Sequence, residues 1–160
     1  MIEIKEISFE NVQDFWKEHI RYLIEDEIIS KQEDIDYFSG SEYRGIIENH
    51  MNSSIDKLHM VWFVRDNIRI GAVQYKIYQS EDGECFILDY WVFPQFRGNN
   101  TGRNCFYALV DHTKADGAIY YKLNARKEDS IRFWKSLGFV ENGKDEFDSP
   151  LFIKVYDNEK

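Results

Sequence analysis

Between Cys85 and Leu123 the chain passes from one apolar segment, CFILDYWVF, through a loop rich in Gly and Asn, into CFYALV, and out through AIYYKL. The middle segment carries Cys105, Phe106, Leu109 and Val110 on one face of a helix, and Asp116-Gly117 ends it. A strand, a helix and a strand in that order imply a parallel strand pair and a right-handed crossover. Upstream, HMVWFVRDNIRIGAVQYKIYQ reads as two strands joined by a tight turn at Asp66-Asn67. SEDGE is a second turn, so the strand that opens the crossover also closes a three-strand meander. Such a chain folds around a mixed, mainly antiparallel sheet.

The remaining segments fit that sheet. Ile2, Ile4 and Ile7 suggest a first strand, and Val12, Phe15, Trp16, Ile20 and Leu23 recur at helical spacing. The polar stretch from Ser30 to Ser54 carries Tyr37, Phe38, Tyr43, Ile46 and Ile47 and predicts one short helix between loops. EDSIRFWKSLGFV has the acidic start of a helix and a stop at Gly138. FVE and PLFIKVY read as closing strands. The expectation is an α/β fold of six to seven strands flanked by about four helices. Neither a repeat nor a linker divides the sequence, so residues 1–160 are expected to form one domain.

Composition removes several function classes. Lys and Arg total 20 against 29 Asp and Glu, a net charge of -9, which disfavours nucleic acid as a partner. The opening MIEIKEISFE is acidic and alternating, unlike a signal peptide, and no apolar run approaches membrane-spanning length. Cys85 and Cys105 sit in apolar segments and share no metal spacing with His19, His50, His59 or His112. Buried free thiols, a cytoplasmic location, no metal, and histidines at the surface or at an interface are expected.

The loop from Val92 to Asn104, VFPQFRGNNTGRN, lies where a strand ends and a helix begins. A helix N-terminus offers unpaired N–H groups and the positive end of the dipole. Glycines let phosphate oxygens approach those groups, and Asn tolerates the left-handed backbone that such a loop uses. Arg97 and Arg103 add cationic donors. The loop is either a diphosphate cradle or a plain turn. No Lys-Ser/Thr pair follows, and the glycine spacing differs from the dinucleotide fingerprint.

A second segment bears on the choice. VFPQFRGNNTG and SIRFWKSLGF together resemble the paired motifs of the GNAT superfamily of acetyl-coenzyme A-dependent N-acetyltransferases. Those motifs run V-x-P-x-x-R-G-x-G-x-G and then A-x-x-x-Y-x-x-x-G-F. The matching residues are Val92, Pro94, Arg97, Gly98 and Gly102, then Ser130, Gly138 and Phe139. The resemblance implies a GNAT-like sheet with a splayed parallel strand pair that holds the cofactor. It implies acetyl-CoA as cosubstrate, with its pyrophosphate on the backbone of Arg97, Gly98, Asn99, Asn100, Thr101, Gly102 and Arg103, and with Ser130 nearby. Backbone groups of Trp91, Val92 and Phe93 would hold the pantetheine arm, one N–H polarising the acetyl carbonyl.

Two positions depart from the pattern. Asn100 replaces the middle glycine, and Trp134 replaces the tyrosine that protonates the departing thiolate in many members. An indole N–H donates a hydrogen bond but is no general acid. Either another group or water helps the thiolate leave, with Tyr90, Tyr121 and Cys105 nearby in the sequence, or the chain has lost catalysis. Lys127 stands in the register of the family's frequent Asn, with Asn124 upstream.

Asp89 interrupts the apolar strand that enters the loop, and a carboxylate there must be paired or reach a cleft. In polyamine-type members an acidic residue at this position contacts the amine; the alternative is an ion pair with a Lys or Arg of a neighbouring strand. The resemblance therefore implies an N-acetyltransferase acting on a small cationic amine, an aminoglycoside or a peptide N-terminus, with Asp89 and Trp134 as the catalytic candidates and a homodimer as a further expectation. The different class is an acyl-CoA-binding sensor or interaction module that transfers nothing, and a weaker one is an unrelated phosphate-binding domain.

Overall fold

A computed structural model describes residues 1–156. Among them, seven strands form one sheet: β1 (Glu3–Glu6), β2 (Leu58–Arg65), β3 (Ile68–Ile77), β4 (Glu84–Val92), β5 (Tyr120–Asn124), β6 (Val140–Lys144) and β7 (Pro150–Val155). Their order across the sheet is β1-β2-β3-β4-β5-β7-β6, with only the β4–β5 pair parallel. The hairpin turn between β2 and β3 has Asp66 and Asn67 at φ 53° and 65°. Both central residues are thus left-handed, as the twist of a two-residue hairpin demands.

The helices are α1 (Val12–Glu25), α2 (Gln32–Ser39), α3 (Ser41–Met51), α4 (Thr101–Ala115) and α5 (Glu128–Ser136). The stretch expected to hold one short helix after Ser30 holds two, α2 and α3. They are separated by Gly40, whose backbone is extended. None of the described helices is long and apolar enough to cross a membrane.

Strand alternation sorts the core into two clusters. Val61 and Phe63 of β2 face α4 and α5, packing with Phe106, Leu109, Trp134 and Phe139. Met60, Trp62 and Val64 face the other way, with Phe15 and Trp16 of α1 and Ile47 of α3. β4 contributes to both layers, Val92 to the first and Trp91 to the second. Cys85 and Cys105 are free and buried.

Candidate active site

The two parallel strands part company along their length. β4 pairs with β5 only from Glu84↔Tyr120 to Ile87↔Leu123, although β4 continues to Val92. On its other side β4 stays paired with β3, but the register slips so that Gln74 faces Asp89 while Tyr75 faces Ile87. Leu88 is the extra residue of that bulge. A bulge bends its strand and increases the local twist. It therefore turns β4 away from β5 at the point where their pairing ends, and a gap opens in the middle of the sheet.

Peptide groups alternate sides along a strand, so β4 offers every second N–H to this gap. The Phe93 N–H is already given to Ile70 O at 2.9 Å, toward β3. The amides facing the gap are then those of Tyr90 and Val92. Of the backbone groups expected to contact an extended arm, Val92 is the one with its N–H in position, and Phe93 is not.

Beyond the gap, Gly98, Asn99 and Asn100 lie at φ 94°, 52° and 61°. Three successive left-handed residues explain the glycine and both asparagines, since few other residues adopt this backbone. Thr101 N bonds Gly98 O, and Asn104 N bonds Asn100 O. Asn99, Asn100, Gly102 and Arg103 have no backbone acceptor among the described residues, so their N–H groups are available at the start of α4. Gly102 has a separate reason to be glycine. A Cβ there would stand 3.1 Å from Phe133 Cε1, so α4 could not approach α5 as closely.

A cavity of about 510 Å³ joins these parts. Trp91, Val92, Arg97, Gly98, Asn100, Thr101, Gly102, Arg103, Ser130 and Trp134 line it. Phe93 lines a neighbouring cavity, and Asn99 shapes the loop without lining either. Arg97 is committed: its Nε donates to Val92 O at 2.8 Å, and its Nη2 pairs with Asp26 at 2.7 Å. Lys127 Nζ donates to the carbonyl of the same Asp26. The end of α1 is thereby tied to both the loop and the start of α5.

A second cavity, of about 340 Å³, lies along the gap and contains Leu88, Asp89, Asn124, Arg126 and Ser149. Asp89 is not paired with a Lys or Arg of a neighbouring strand. Its Oδ2 accepts from Gln74 Nε2 and lies 3.0 Å from His19 Nε2. His19 and Gln74 are fully buried. His19 is thus not at the surface as expected. Its ring stacks on Phe15 and Tyr43, and its Nδ1 has no partner. A carboxylate opposite Nε2 requires the proton there.

Three groups considered for protonating a leaving group are occupied elsewhere. The Tyr90 hydroxyl donates to Gly102 O at 2.5 Å. Tyr121 is fully buried and shares a 2.6 Å hydrogen bond with Thr113. The Cys105 thiol is fully buried in the core and lines neither cavity, and burial pushes it up to about 12. Trp134 packs edge-on against Tyr90, Phe106 and Phe139, and its indole makes no hydrogen bond to a described residue. Among the described residues no group of three His, Cys, Asp or Glu could hold a metal ion.

His19 stood out in the sequence only as a surface or interface residue, and Gln74 and Tyr22, which lines both cavities, did not stand out at all. His19 continues the buried helical phase of Val12, Phe15, Trp16 and Leu23, which was legible. Gln74 is the one uncharged amide within the apolar run IGAVQY, also a readable signal. Tyr22 lies beside that helical stripe and could be found only from the three-dimensional arrangement.

A family model described as "Acetyltransferase (GNAT) family" matches residues 14–139, a span that includes the gap, the left-handed loop and α5. The chain belongs to the acetyltransferase (GNAT) family. No curated protein matches this acetyltransferase in sequence at a significant level. Solved structures match its fold. A PaiA N-acetyltransferase from Thermoplasma acidophilum, solved with coenzyme A, is 18% identical with TM-score 0.72, over 98% of this chain and 99% of that one. YycN of Bacillus subtilis, a putative acetyltransferase, is 14% identical with TM-score 0.72, over 100% and 98%. Naa50 of Arabidopsis thaliana, solved with the bisubstrate analogue CoA-Ac-MVNAL, is 14% identical with TM-score 0.63, over 97% and 99%. The cosubstrate of this acetyltransferase is acetyl-CoA, and the unpaired amides of the loop suit its diphosphate.

Proposed function

We propose that residues 1–160 act as one acetyltransferase domain that moves the acetyl group of acetyl-CoA to a primary amine, by direct attack within a ternary complex. The observation that carries this reading is the meeting of two cavities at the β4–β5 gap. One runs to the left-handed loop, and the other is lined by Asp89, whose carboxylate is braced by His19 and Gln74. In this reading the free amides of Asn99, Asn100, Gly102 and Arg103 hold the diphosphate, with Ser130 beside it. The pantetheine arm follows Trp91 and Val92, and the Val92 N–H stabilises the developing oxyanion. Asp89 binds the acceptor amine and takes its proton. A small cavity with a carboxylate inside supports a small cationic amine or a chain end that inserts its terminal ammonium. Two cavities that meet favour transfer over a sensor that only binds the coenzyme.

Thermal unfolding with acetyl-CoA, with ATP and NAD as controls, tests the cofactor half. At a hundred times its dissociation constant the coenzyme adds ~2.7 kcal/mol. For a chain of this size, melting rises by roughly 5–10 °C, and the controls leave it unchanged. No shift with the coenzyme removes the reading. Thiol release against a panel of amines then identifies the acceptor.

The Asp26–Arg97 pair makes a second prediction. A diphosphate competes with Asp26 for the Arg97 guanidinium, and the Asp26 charge opposes an anion in the cavity that it lines. Asp26→Asn is expected to tighten coenzyme binding by about threefold to fivefold, the scale of a partly exposed ion pair. Calorimetric titration reads this directly. Weaker binding in the variant assigns the pair to holding the loop in shape.

A further inference from the structure

We infer that Tyr22 of α1 is the proton donor to the departing thiolate, taking the role that Trp134 cannot fill. This rests on the acetyl-transfer reading above. The reaction must occur where the two cavities meet, and six residues line both: Tyr22, Ile28, Tyr90, Lys127, Ser130 and Trp134. Ile28 has no proton to give, and neither the Trp134 indole nor the Ser130 hydroxyl is an effective acid. The Tyr90 hydroxyl is spent on Gly102 O. Lys127 is exposed, and its ammonium is held on the Asp26 carbonyl. That leaves the phenol of Tyr22, whose hydroxyl bonds to no described residue.

The ring is held for such a role. It stacks face to face on Trp91, with centroids 4.5 Å apart and planes 3° from parallel. Trp91 belongs to the part of β4 that borders the gap, so the stack fixes the phenol against the wall expected to carry the acetyl arm. Burial, and then the neighbouring charge of Asp89, raise its pKa, so it stands protonated at rest; the same burial and charge act on a thiolate released beside it, which keeps the two proton affinities close enough for transfer.

The step balances. The amine nitrogen forms the new C–N bond, the C–S bond breaks, and its electron pair stays on sulfur. Sulfur takes the Tyr22 proton. The bound ammonium first loses one proton to solvent through Asp89, which frees the attacking lone pair; the second proton, lost by nitrogen after the C–N bond forms, goes to Asp89 and from there returns to the Tyr22 oxygen. The enzyme ends in its starting state, and the products are the amide and free coenzyme A.

The test uses thiol release from acetyl-CoA, with spermidine as probe amine and with water alone as acceptor, beside the coenzyme dissociation constant. Tyr22→Phe keeps the ring stack and removes only the hydroxyl. It is expected to lower turnover by about 100-fold, the low end for general acid catalysis, while coenzyme affinity and melting temperature stay near wild type. Trp134→Tyr restores most of the loss when added to Tyr22→Phe. Turnover of Tyr22→Phe within about threefold of wild type overturns the assignment, as does a loss matched by an equal loss of coenzyme affinity. Wild-type thiol release no faster than in buffer overturns it too. If the coenzyme binds and wild type turns over, only Tyr22 is displaced; if the coenzyme binds without wild-type thiol release, the acetyl-transfer reading falls as well. If it does not bind, the acetyl-transfer reading itself falls.

Discussion

Asp89→Asn is expected to lower kcat/KM for the amine by about 100- to 1,000-fold while leaving the dissociation constant of acetyl-CoA unchanged. The amide keeps the size of the carboxylate and an oxygen for Gln74 Nε2. It loses the charge that attracts an ammonium and the basicity that accepts its proton. The structural cost is smaller. His19 now faces either an N–H or a weaker acceptor, and its unpartnered Nδ1 prevents both ring nitrogens from being satisfied. One imperfectly paired buried group costs about 1–3 kcal/mol, so melting falls by roughly 2–12 °C. Steady-state kinetics and thermal unfolding of the same preparation separate the two effects. A variant that melts early yet retains turnover makes the His19–Asp89–Gln74 cluster a brace for β4 and nothing more.

The second large effect lies outside both cavities. Gly71 of β3 faces Val92 of β4, and a Cβ on it would stand 2.4 Å from the Trp91 carbonyl oxygen and 3.1 Å from Val92 Cα. Both obstacles are backbone, so no rotamer change relieves them. Gly71→Ala must push β4 aside along the stretch that borders the gap. Overpacking of this kind costs ~3 kcal/mol, and melting is expected to fall by roughly 6–12 °C. The displaced atoms are those of Trp91 and Val92, so coenzyme affinity falls in the protein that remains folded. Differential scanning calorimetry and a coenzyme titration check the two parts. A variant that melts normally shows that β4 can shift without loss, and the close approach then has no energetic weight.

The topology was legible because its determinants are local. A crossover follows from the alternation of strand and helix periods, and a tight hairpin follows from Asp66-Asn67. The left-handed run was legible through Gly98, Asn99 and Asn100, residues chosen by backbone conformation. The site was legible only in part. Asp89 stood out as a carboxylate in an apolar strand, but its partners come from a helix far upstream and from β3. Such pairings depend on register and on helix rotation, which one sequence does not encode locally. The bulge at Leu88 and the close approach at Gly71 are invisible for the same reason: each exists only when two strands are laid side by side.

The unpaired length of β4 has one more consequence. A strand with free amides is normally a template on which another polypeptide can grow, and proteins guard such edges against aggregation. Here the edge lies inside the sheet rather than at its margin. β5 stands across the gap, with Tyr22 of α1 over one layer and Trp134 of α5 over the other. An arm that carries amides and no side chains can meet these N–H groups without displacing the rings on either face, which a strand of ordinary polypeptide must do. The fold thus keeps a strand edge inside the sheet, flanked on both faces, where a small molecule reaches it more easily than another chain.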